Sequence, residues 1–506
     1  MKKRAKVLLL TPNLKGIKDG LNRIQPPLGL MIMAAVLRKN GHQVAIRDTA
    51  LEGWHRQQAL GEHAVLIGQT DDEITRVIRA HDPDIVGISA LFSNLMSSAH
   101  TIARLVKRAK PETVVVLGGN HISCAVSDYV YACANPASLM PRRLEDLEDT
   151  NIDYAMQGEA DWEFPRLVDT IAQNQDVSEI PGLVMRDSRS SGAYLINSPP
   201  APLANLSSLP LPARNLVNME GYFKIGSFHS AKSRSKRVLS VMASRGCPEK
   251  CTFCTTPKMW GSIVRWRSTQ EVIEEIRQSR EQFQIGEIQF EDDTLTARKD
   301  NLLELCKELE KVGLPWCTPN GTKVDYHLSS QPVLYKAMAD SGCYQITLAA
   351  ESGVQRVLDQ IIHKKLKLEQ IMPAIANAKN VGMFVHTFWI LGHPGETFEE
   401  MEETVRFASI CGADSFSFAI LSPLPGTPIY REVVQKNLWW PGRSIQELTY
   451  RSSLIKVDGF SSSEEFEKYV TEANIRCNKI LAEKDPVRFR KKYGSDADER
   501  SMIKQT

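Results

Sequence analysis

"SRGCPEKCTFCTTPKMWG" (residues 244–261) sets Cys247, Cys251 and Cys254 at offsets of four and three. All three fall on one short loop, with Gly246 and Pro248 to shape its turn. A structural zinc site closes its shell with four Cys or His ligands. Here His229 precedes the run and no histidine follows closely. Iron–sulfur clusters are also held by thiolates. A cubane bound by three of them leaves one iron open for an exchangeable ligand, as a catalytic metal keeps an open coordination position. The run follows a strand expected over Val238–Ala243, which puts the loop at a strand's carboxyl end.

Downstream, helical and strand patterns alternate. Helices are expected over Thr269–Phe283, Arg298–Val312, Ser329–Ser341 and Leu368–Val381. Strands are expected over Glu287–Asp293, Trp316–Asn320, Gln345–Ala350, Phe384–Leu391 and Ser415–Ile420. With Val238–Ala243 this makes six βα units and a partial (β/α)6 barrel, whose site belongs at the C-terminal face. Polar residues end these strands: Asp292 and Asp293, then Glu351-Ser352-Gly353, then Gly392-His-Pro-Gly395-Glu396. Adjacent residues on a strand point oppositely, so at most one of Asp292 and Asp293 faces the site. Asn320, Thr322, His386 and Trp389 read as packing or supporting residues rather than substrate ligands. The run His363-Lys-Lys-Leu-Lys367 is either an attractor for an anion or a solvated helix end.

The N-terminal third alternates in the same way. Lys6–Leu10, Val44–Asp48, Asp84–Ser89, Val114–His121 and Ile152–Met156 read as strands, Leu30–Lys39 and Asp72–His81 as helices. That spacing predicts an α/β, doubly wound, Rossmann-like parallel sheet, which binds ligands at the strands' carboxyl ends. The loops there are Thr11–Gln25, Ser89–Asn94, Gly118–His121 and Gly158–Glu159. Gly118-Gly119 admits close approach of a large ligand, and Ser89, Ser93 and Asn94 offer hydrogen bonds. The GxGxxG fingerprint and the Walker lysine loop are both absent after the first strand, which argues against nicotinamide or ATP. His121 is either a metal ligand or, as is commoner, a hydrogen-bonding loop histidine.

The 506 residues exceed one core, so several domains are expected. Hydrophobic content of 42% and charged content of 24% are those of a globular protein, and a net charge of +2 with mixed signs argues against general nucleic-acid binding. No apolar run reaches the roughly 18 residues that span a membrane. The start reads as a strand rather than a signal peptide, so a cytoplasmic location is expected. Outside the central run, seven cysteines are scattered (Cys124, Cys133, Cys306, Cys317, Cys343, Cys411 and Cys477) and are expected in the core. The basic group Lys232, Arg234, Lys236 and Arg237 reads as a solvated linker. The end of the chain is charged and helical, with an N-cap-like Ser461-Ser-Ser-Glu-Glu465.

The CxxxCxxC triplet with Phe253 before its last cysteine resembles the signature of radical S-adenosylmethionine (SAM) enzymes. A doubly wound domain directly before such a barrel resembles the cobalamin-dependent radical SAM methyltransferases. "SRGCPEKCTFCTTPKMWG", "GLPWCTPNGT" and "ESGVQRVL" resemble the C-methylase branch of fosfomycin biosynthesis, which acts on a nucleotide-linked phosphonate. The resemblance implies a cobalamin-binding domain over 1–185, a connector over 186–237, a radical SAM barrel over 238–440 and a helical C-terminal region over 441–506. It implies a [4Fe-4S] cluster on Cys247, Cys251 and Cys254, with SAM as the missing ligand. It places SAM against Phe253, Glu351, Ser352, Gly392 and Gly395, Glu351 taking the ammonium. Cobalamin falls to Ser89, Asn94, Gly118, Gly119, His121, Gly158 and Glu159. The DxHxxG loop that supplies a lower cobalt ligand is absent, which the family tolerates.

The resemblance implies that one SAM methylates reduced cobalamin and another is cleaved to a 5′-deoxyadenosyl radical. The radical takes hydrogen from an unactivated carbon of a small-molecule substrate, and that carbon receives the methyl group. An electron donor such as flavodoxin or ferredoxin is implied, and no residue is assigned as a catalytic acid or base. The rival readings are a cobalamin-dependent radical cyclase or rearrangement enzyme, and a zinc-dependent binding protein. A methylthiotransferase would need a further cysteine-held cluster in the first domain, where only Cys124 and Cys133 lie.

Overall fold

A computed structural model describes residues 4–487 except 19, 62, 63, 188, 190, 191, 231, 325–327, 450 and 485. Residues 488–506 of the expected C-terminal region lie outside the described residues.

Four uninterrupted apolar residues make Lys6–Thr11 a strand buried on both faces. Val7 and Leu9 pack with Leu30, Leu37, Phe164 and Leu167 on one side. Leu8 and Leu10 pack with Ile78, Ile102 and Val106 on the other. The parallel part of the sheet runs Gln43–Asp48, Lys6–Thr11, Ile85–Ser89, Val114–Gly118, Tyr154–Met156. In chain order this is 2-1-3-4-5, a doubly wound arrangement whose direction switches between the strands ending at Thr11 and Ser89.

Two features differ from expectation. An antiparallel hairpin, Leu183–Arg186 with Tyr194–Ile196, extends the sheet. The first domain therefore runs past 185, and that boundary cuts a strand. The loop Thr11–Gln25 also contains the strand Leu14–Ile17, which pairs with Ala64–Ile67 beside Gln57–Leu60. Strands of four residues are too short to show a period.

The second sheet has six strands in chain order: Val238–Val241, Glu287–Phe290, Trp316–Lys323, Cys343–Glu351, Phe384–Leu391 and Ser415–Ile420. All neighbours are parallel, and helices separate them, as a partial barrel requires. The third strand runs beyond Asn320 to Lys323 across a bulge. The expected helix from Ser329 begins at Pro332, and that from Leu368 begins as a 3-10 turn before Ile371–Asn380.

The connector is not merely a solvated linker. Ser230 bonds Gln289 and Gln345 on barrel strands. Arg234 stacks 4.3 Å over Tyr344, and Arg237 lies 4.5 Å over Phe223 while chelating Glu220. Long cationic stems gain by covering aromatic surface, which a reading of charge alone passes over. The helix Ser463–Lys484 packs on the helix Phe398–Ile410 and the sixth strand, with Phe466 fully buried. Cys124, Cys306, Cys317, Cys343, Cys411 and Cys477 are buried as expected, whereas Cys133 is exposed.

Candidate functional site

The cysteine loop is a closed excursion from the first barrel strand. Ser244–Arg245 pairs antiparallel with Arg265–Trp266 and forms its neck. Asp292, at the end of the second strand, accepts from the Ala243 N–H at 3.0 Å and also binds the Ser244 N–H and hydroxyl. Thr294 Oγ1 donates to the Gly246 carbonyl at 3.1 Å. Gly246 has φ 101°, and a Cβ there would lie 2.2 Å from the Ile263 oxygen. Gly246→Ala therefore strains the loop by about 1–3 kcal/mol. The expected result is a folded protein by circular dichroism that takes up less iron on anaerobic reconstitution.

Other barrel elements, two strand ends and the segment Val357–Ile362, hold the rest of the loop. Glu249 pairs with Lys323 at 3.1 Å. The Thr252 N–H and hydroxyl donate to the Ile362 and Ile361 carbonyls at 3.0 and 2.8 Å. Phe253 lies 6.2 Å from the His393 ring, so the Gly392–Glu396 turn touches the loop. In that turn Glu396 Oε2 accepts from the Gly392 and His393 N–H groups. The Gly395 carbonyl accepts from Arg356.

Burial pushes the thiols up, Cys247 to about 11 and Cys251 to about 12, with Cys254 shifted in the same direction. Each lies within electrostatic reach of another. Among the described residues no three His, Cys, Asp or Glu side chains converge where a single ion would sit. A cubane takes each thiolate on a different iron, so separate, half-buried thiols on one loop fit it.

Glu351 ends the fourth strand at φ 66°, a left-handed conformation unusual for a residue with a side chain, at a break in strand register. Its carboxylate accepts from Lys364 Nζ at 2.8 Å, both side chains being buried. Glu351 and Asp293 both act on Cys254. Of the two aspartates, Asp292 is spent on the neck. Asp293 receives Thr256 at 3.1 Å and keeps a buried oxygen without a partner. Burial raises Asp292 to about 7 and Asp293 to about 6. Ser352 is turned away into a buried contact with Thr404 at 3.1 Å.

Asn320 donates to the Glu291 carbonyl at 2.7 Å, Thr322 is buried in its strand, His386 bridges Ser415 and Ser417, and Trp389 is fully buried. These are supporting roles, as expected. In the basic run, Lys364 is buried while Lys365 and Lys367 are exposed. Lys323 and Asn120 were not singled out by sequence, and Lys364 was read only as one member of the basic run, because nothing local distinguishes it from its neighbours.

The first domain presents its strand ends to this loop. Gly119, at φ 110°, starts the helix Asn120–Ala134, and a Cβ there would lie 2.4 Å from the Ala90 oxygen. Glycine thus lets that helix begin against the end of the neighbouring strand. Ser89 pairs in register with Gly118. Asn120 Nδ2 donates to Thr255 Oγ1 at 2.9 Å, joining this edge to the cysteine loop. Asn94 donates to the Leu448 carbonyl at 3.0 Å and keeps a buried oxygen without a partner.

His121 lies on the first turn of the helix, not in a loop. Its ring nitrogens face Ser93 at 2.8 Å and Asp146 at 3.1 Å. Gly158 donates to Ser123 at 2.9 Å. Glu159 is buried and committed elsewhere: it binds Arg265 through both oxygens and Arg245 at 3.4 Å, while Asp161 chelates Arg245 at 2.6 and 3.1 Å. Both arginines stand at the neck of the cysteine loop, so Glu159 ties the two domains together and its carboxylate is not free for a ligand.

Residues 241–408 match the radical SAM superfamily model, and residues 16–135 match the B12-binding domain model. The chain is 35% identical to the cytidylyl-2-hydroxyethylphosphonate methyltransferase of Streptomyces wedmorensis, over 93% of this chain and 89% of that one. It is 30% identical to an uncharacterized methyltransferase of Pyrococcus horikoshii, over 85% of this chain and 83% of that one. The fold matches that of the cobalamin-dependent S-adenosylmethionine radical enzyme OxsB, with a TM-score of 0.65 at 14% identity, covering 99% of this chain and 74% of that one. Among the described residues no helix is long and apolar enough to cross a membrane. The chain belongs to the cobalamin-dependent radical SAM methyltransferases, enzymes that use a [4Fe-4S] cluster, S-adenosylmethionine and cobalamin.

Proposed function

We propose that this methyltransferase acts on a nucleotide-linked phosphonate and methylates an unactivated carbon of its alkyl arm. The observation that carries the substrate class is the 35% identity to a cytidylyl-phosphonate methyltransferase along nearly the whole chain. When bound, the cofactors supply the one-electron, hydrogen-abstraction and methyl-transfer chemistry that side-chain acids and bases cannot.

The chain's own residues hold and orient. Cys247, Cys251 and Cys254 are the cluster ligands. Glu351 receives the SAM ammonium, and Phe253 with the Gly392–Gly395 turn walls the same site. Ser352, through Thr404, fixes the backbone after Glu351 rather than touching SAM. Ser89, Gly118, Gly119, Asn94 and Gly158 line the corrinoid edge, and His121 orders it through Ser93 and Asp146. The Asn120–Thr255 bond supports one shared cavity, since it keeps the two edges in contact. Such positioning accounts for a large part of a rate when geometry is held tightly. The electron comes from a small redox protein of the flavodoxin or ferredoxin kind.

The test is incubation of anaerobically reconstituted enzyme with methyl-deuterated SAM, a strong reductant and cytidylyl-2-hydroxyethylphosphonate. A product heavier by one labelled methyl is expected. Cleavage of SAM with no methylated product from this compound or its free phosphonate would overturn the substrate class.

A further inference from the structure

The inner face of the barrel carries an acid that has no part in the reading so far. In the second barrel strand Ile288 and Phe290 belong to the hydrophobic core, so Glu287, Gln289 and Glu291 point the other way. Ser230 shows where that is. Its N–H donates to Gln289 on the second strand at 3.1 Å, and its hydroxyl donates to Gln345 on the fourth at 3.1 Å. The third strand lies between those two, so one serine joins them only across the concave face. The connector therefore enters the barrel at this level. Glu291 follows Gln289 on the same face, about 7 Å nearer the carboxyl ends. There the lumen is not packed shut. In the fifth strand Val385, Trp389 and Leu391 are core residues, while His386, Phe388 and Ile390 between them are only half-buried. Ser417 of the sixth strand, in register with Phe388, is half-buried too. A filled barrel interior covers such positions with branched apolar side chains.

Glu291 is held at one oxygen only. Its Oε2 lies 2.8 Å from His229 Nδ1, and because a carboxylate only accepts, the histidine nitrogen donates. Its Oε1 is buried with no hydrogen-bond partner. The amide of Asn320 is committed to the Glu291 main-chain carbonyl at 2.7 Å. A buried acceptor left unpaired is costly, so the site is built for a donor that the chain does not supply. Two residues on, Asp293 also keeps a buried oxygen without a partner.

We propose that Glu291 is the residue that reads the alkyl arm of the substrate: Oε1 accepts a hydrogen bond from a hydroxyl on that arm, and His229 holds the carboxylate in place through Oε2. This rests on the reading of the substrate as a nucleotide-linked phosphonate. Such a molecule has an anionic end and a neutral end. Carboxylates repel the anionic end where water is scarce, so the phosphonate and nucleotide stay outside the lumen and the arm enters it. A hydroxyl there supplies the donor that Oε1 lacks, and hydrogen bonds to an ionised acceptor are the strong ones. The arm is then fixed in one orientation, with a single carbon presented to the chemistry. Glu291 touches the substrate, whereas His229 is a positioning residue.

The experiment uses full-length reconstituted enzyme as wild type, Glu291→Ala, Glu291→Gln, His229→Ala and His229→Asn. The two probes are cytidylyl-2-hydroxyethylphosphonate and cytidylyl-ethylphosphonate, which differ by one hydroxyl. Iron, sulfide and SAM affinity are measured first. The affinity for each probe is then read by equilibrium binding, and kcat/KM by the mass of the methylated product.

Wild type should prefer the hydroxylated probe about fiftyfold, the scale of one hydrogen bond to a charged group. Glu291→Ala should bring the two probes close to equal, with SAM affinity unchanged. Glu291→Gln should fall between, because its amide oxygen accepts without a charge. His229→Asn, whose amide still donates, should keep more of the preference than His229→Ala. A Glu291→Ala protein with the wild-type preference overturns the proposal, and so does one whose SAM affinity falls instead. Should Glu291→Ala fail to load its cluster, a full wild-type preference in Glu291→Gln overturns it. A His229→Ala protein with the full preference overturns the role of His229. A wild type that accepts both probes equally overturns the assignment of Glu291 and leaves the substrate class standing. A wild type that binds and methylates neither overturns both.

Discussion

Replacing Cys247, Cys251 and Cys254 together by alanine should remove the iron and labile sulfide of the reconstituted protein and abolish methyl transfer, with the fold retained. Among the described residues no three His, Cys, Asp or Glu side chains gather elsewhere or here to hold a single ion, so no second site takes over. The three cysteines are half-buried, and only Cys251 packs against the barrel's hydrophobic core, from its margin, so their loss should change thermal unfolding little. The measurements are iron and sulfide analysis, visible absorbance and product mass. None of the three substitutions falls within the first domain, so cobalamin retention should persist and serves as the control. A triple variant that still carried about four irons per chain would show that the ligands lie elsewhere.

Glu159→Ala should be among the most destabilising single changes in the chain. Glu159 and Asp161 from the first domain neutralise Arg245 and Arg265 at the neck of the cysteine loop. All four side chains are under 10% exposed. Arg245 also stacks 4.5 Å from the Trp260 ring. Removing one partner of a buried pair leaves an uncompensated charge, at a cost of about 3–5 kcal/mol. Arg265 bears that cost, since its carboxylate partner among these four is Glu159, whereas Arg245 keeps Asp161. The check is a urea or guanidinium midpoint, with Glu159→Gln expected to fall between alanine and wild type because an amide still accepts hydrogen bonds. A Glu159→Ala midpoint equal to wild type would mean that water reaches these guanidiniums. Because the neck sets the cysteine loop, the same variant should also take up less iron.

These two sites differ in how far they could be read in advance. The cysteine triplet is local: three donors within eight residues define their own chemistry wherever the strand before them lies. The strands Lys6–Thr11 and Ile85–Ser89 were legible for a similar reason, being apolar runs bounded by turn residues. The glycine turns at Gly118-Gly119 and Gly392–Gly395 carried a conformational signal of their own. Glu159 was legible only as a polar residue at a strand end, and it was read as facing cobalamin. Its arginine partners stand 86 and 106 residues away, and no local pattern reports them. The hairpin after Leu183 was missed because an edge strand with polar flanks lacks a period.

Lys364 marks the boundary most sharply. Four polar residues in the run from His363 to Lys367 look alike as sequence, a solvated helix end or an anion attractor. The π-turn and the left-handed His363 decide which lysine turns inward. Composition, spacing and apolar period settle which elements form and which cofactors the chain can hold, because those depend on neighbours in the chain. Burial, ion pairing and the meeting of the two ligand edges depend on contacts between residues distant in the chain. They came into view only with the packed fold, since charge pairing is decided by which groups lose water together.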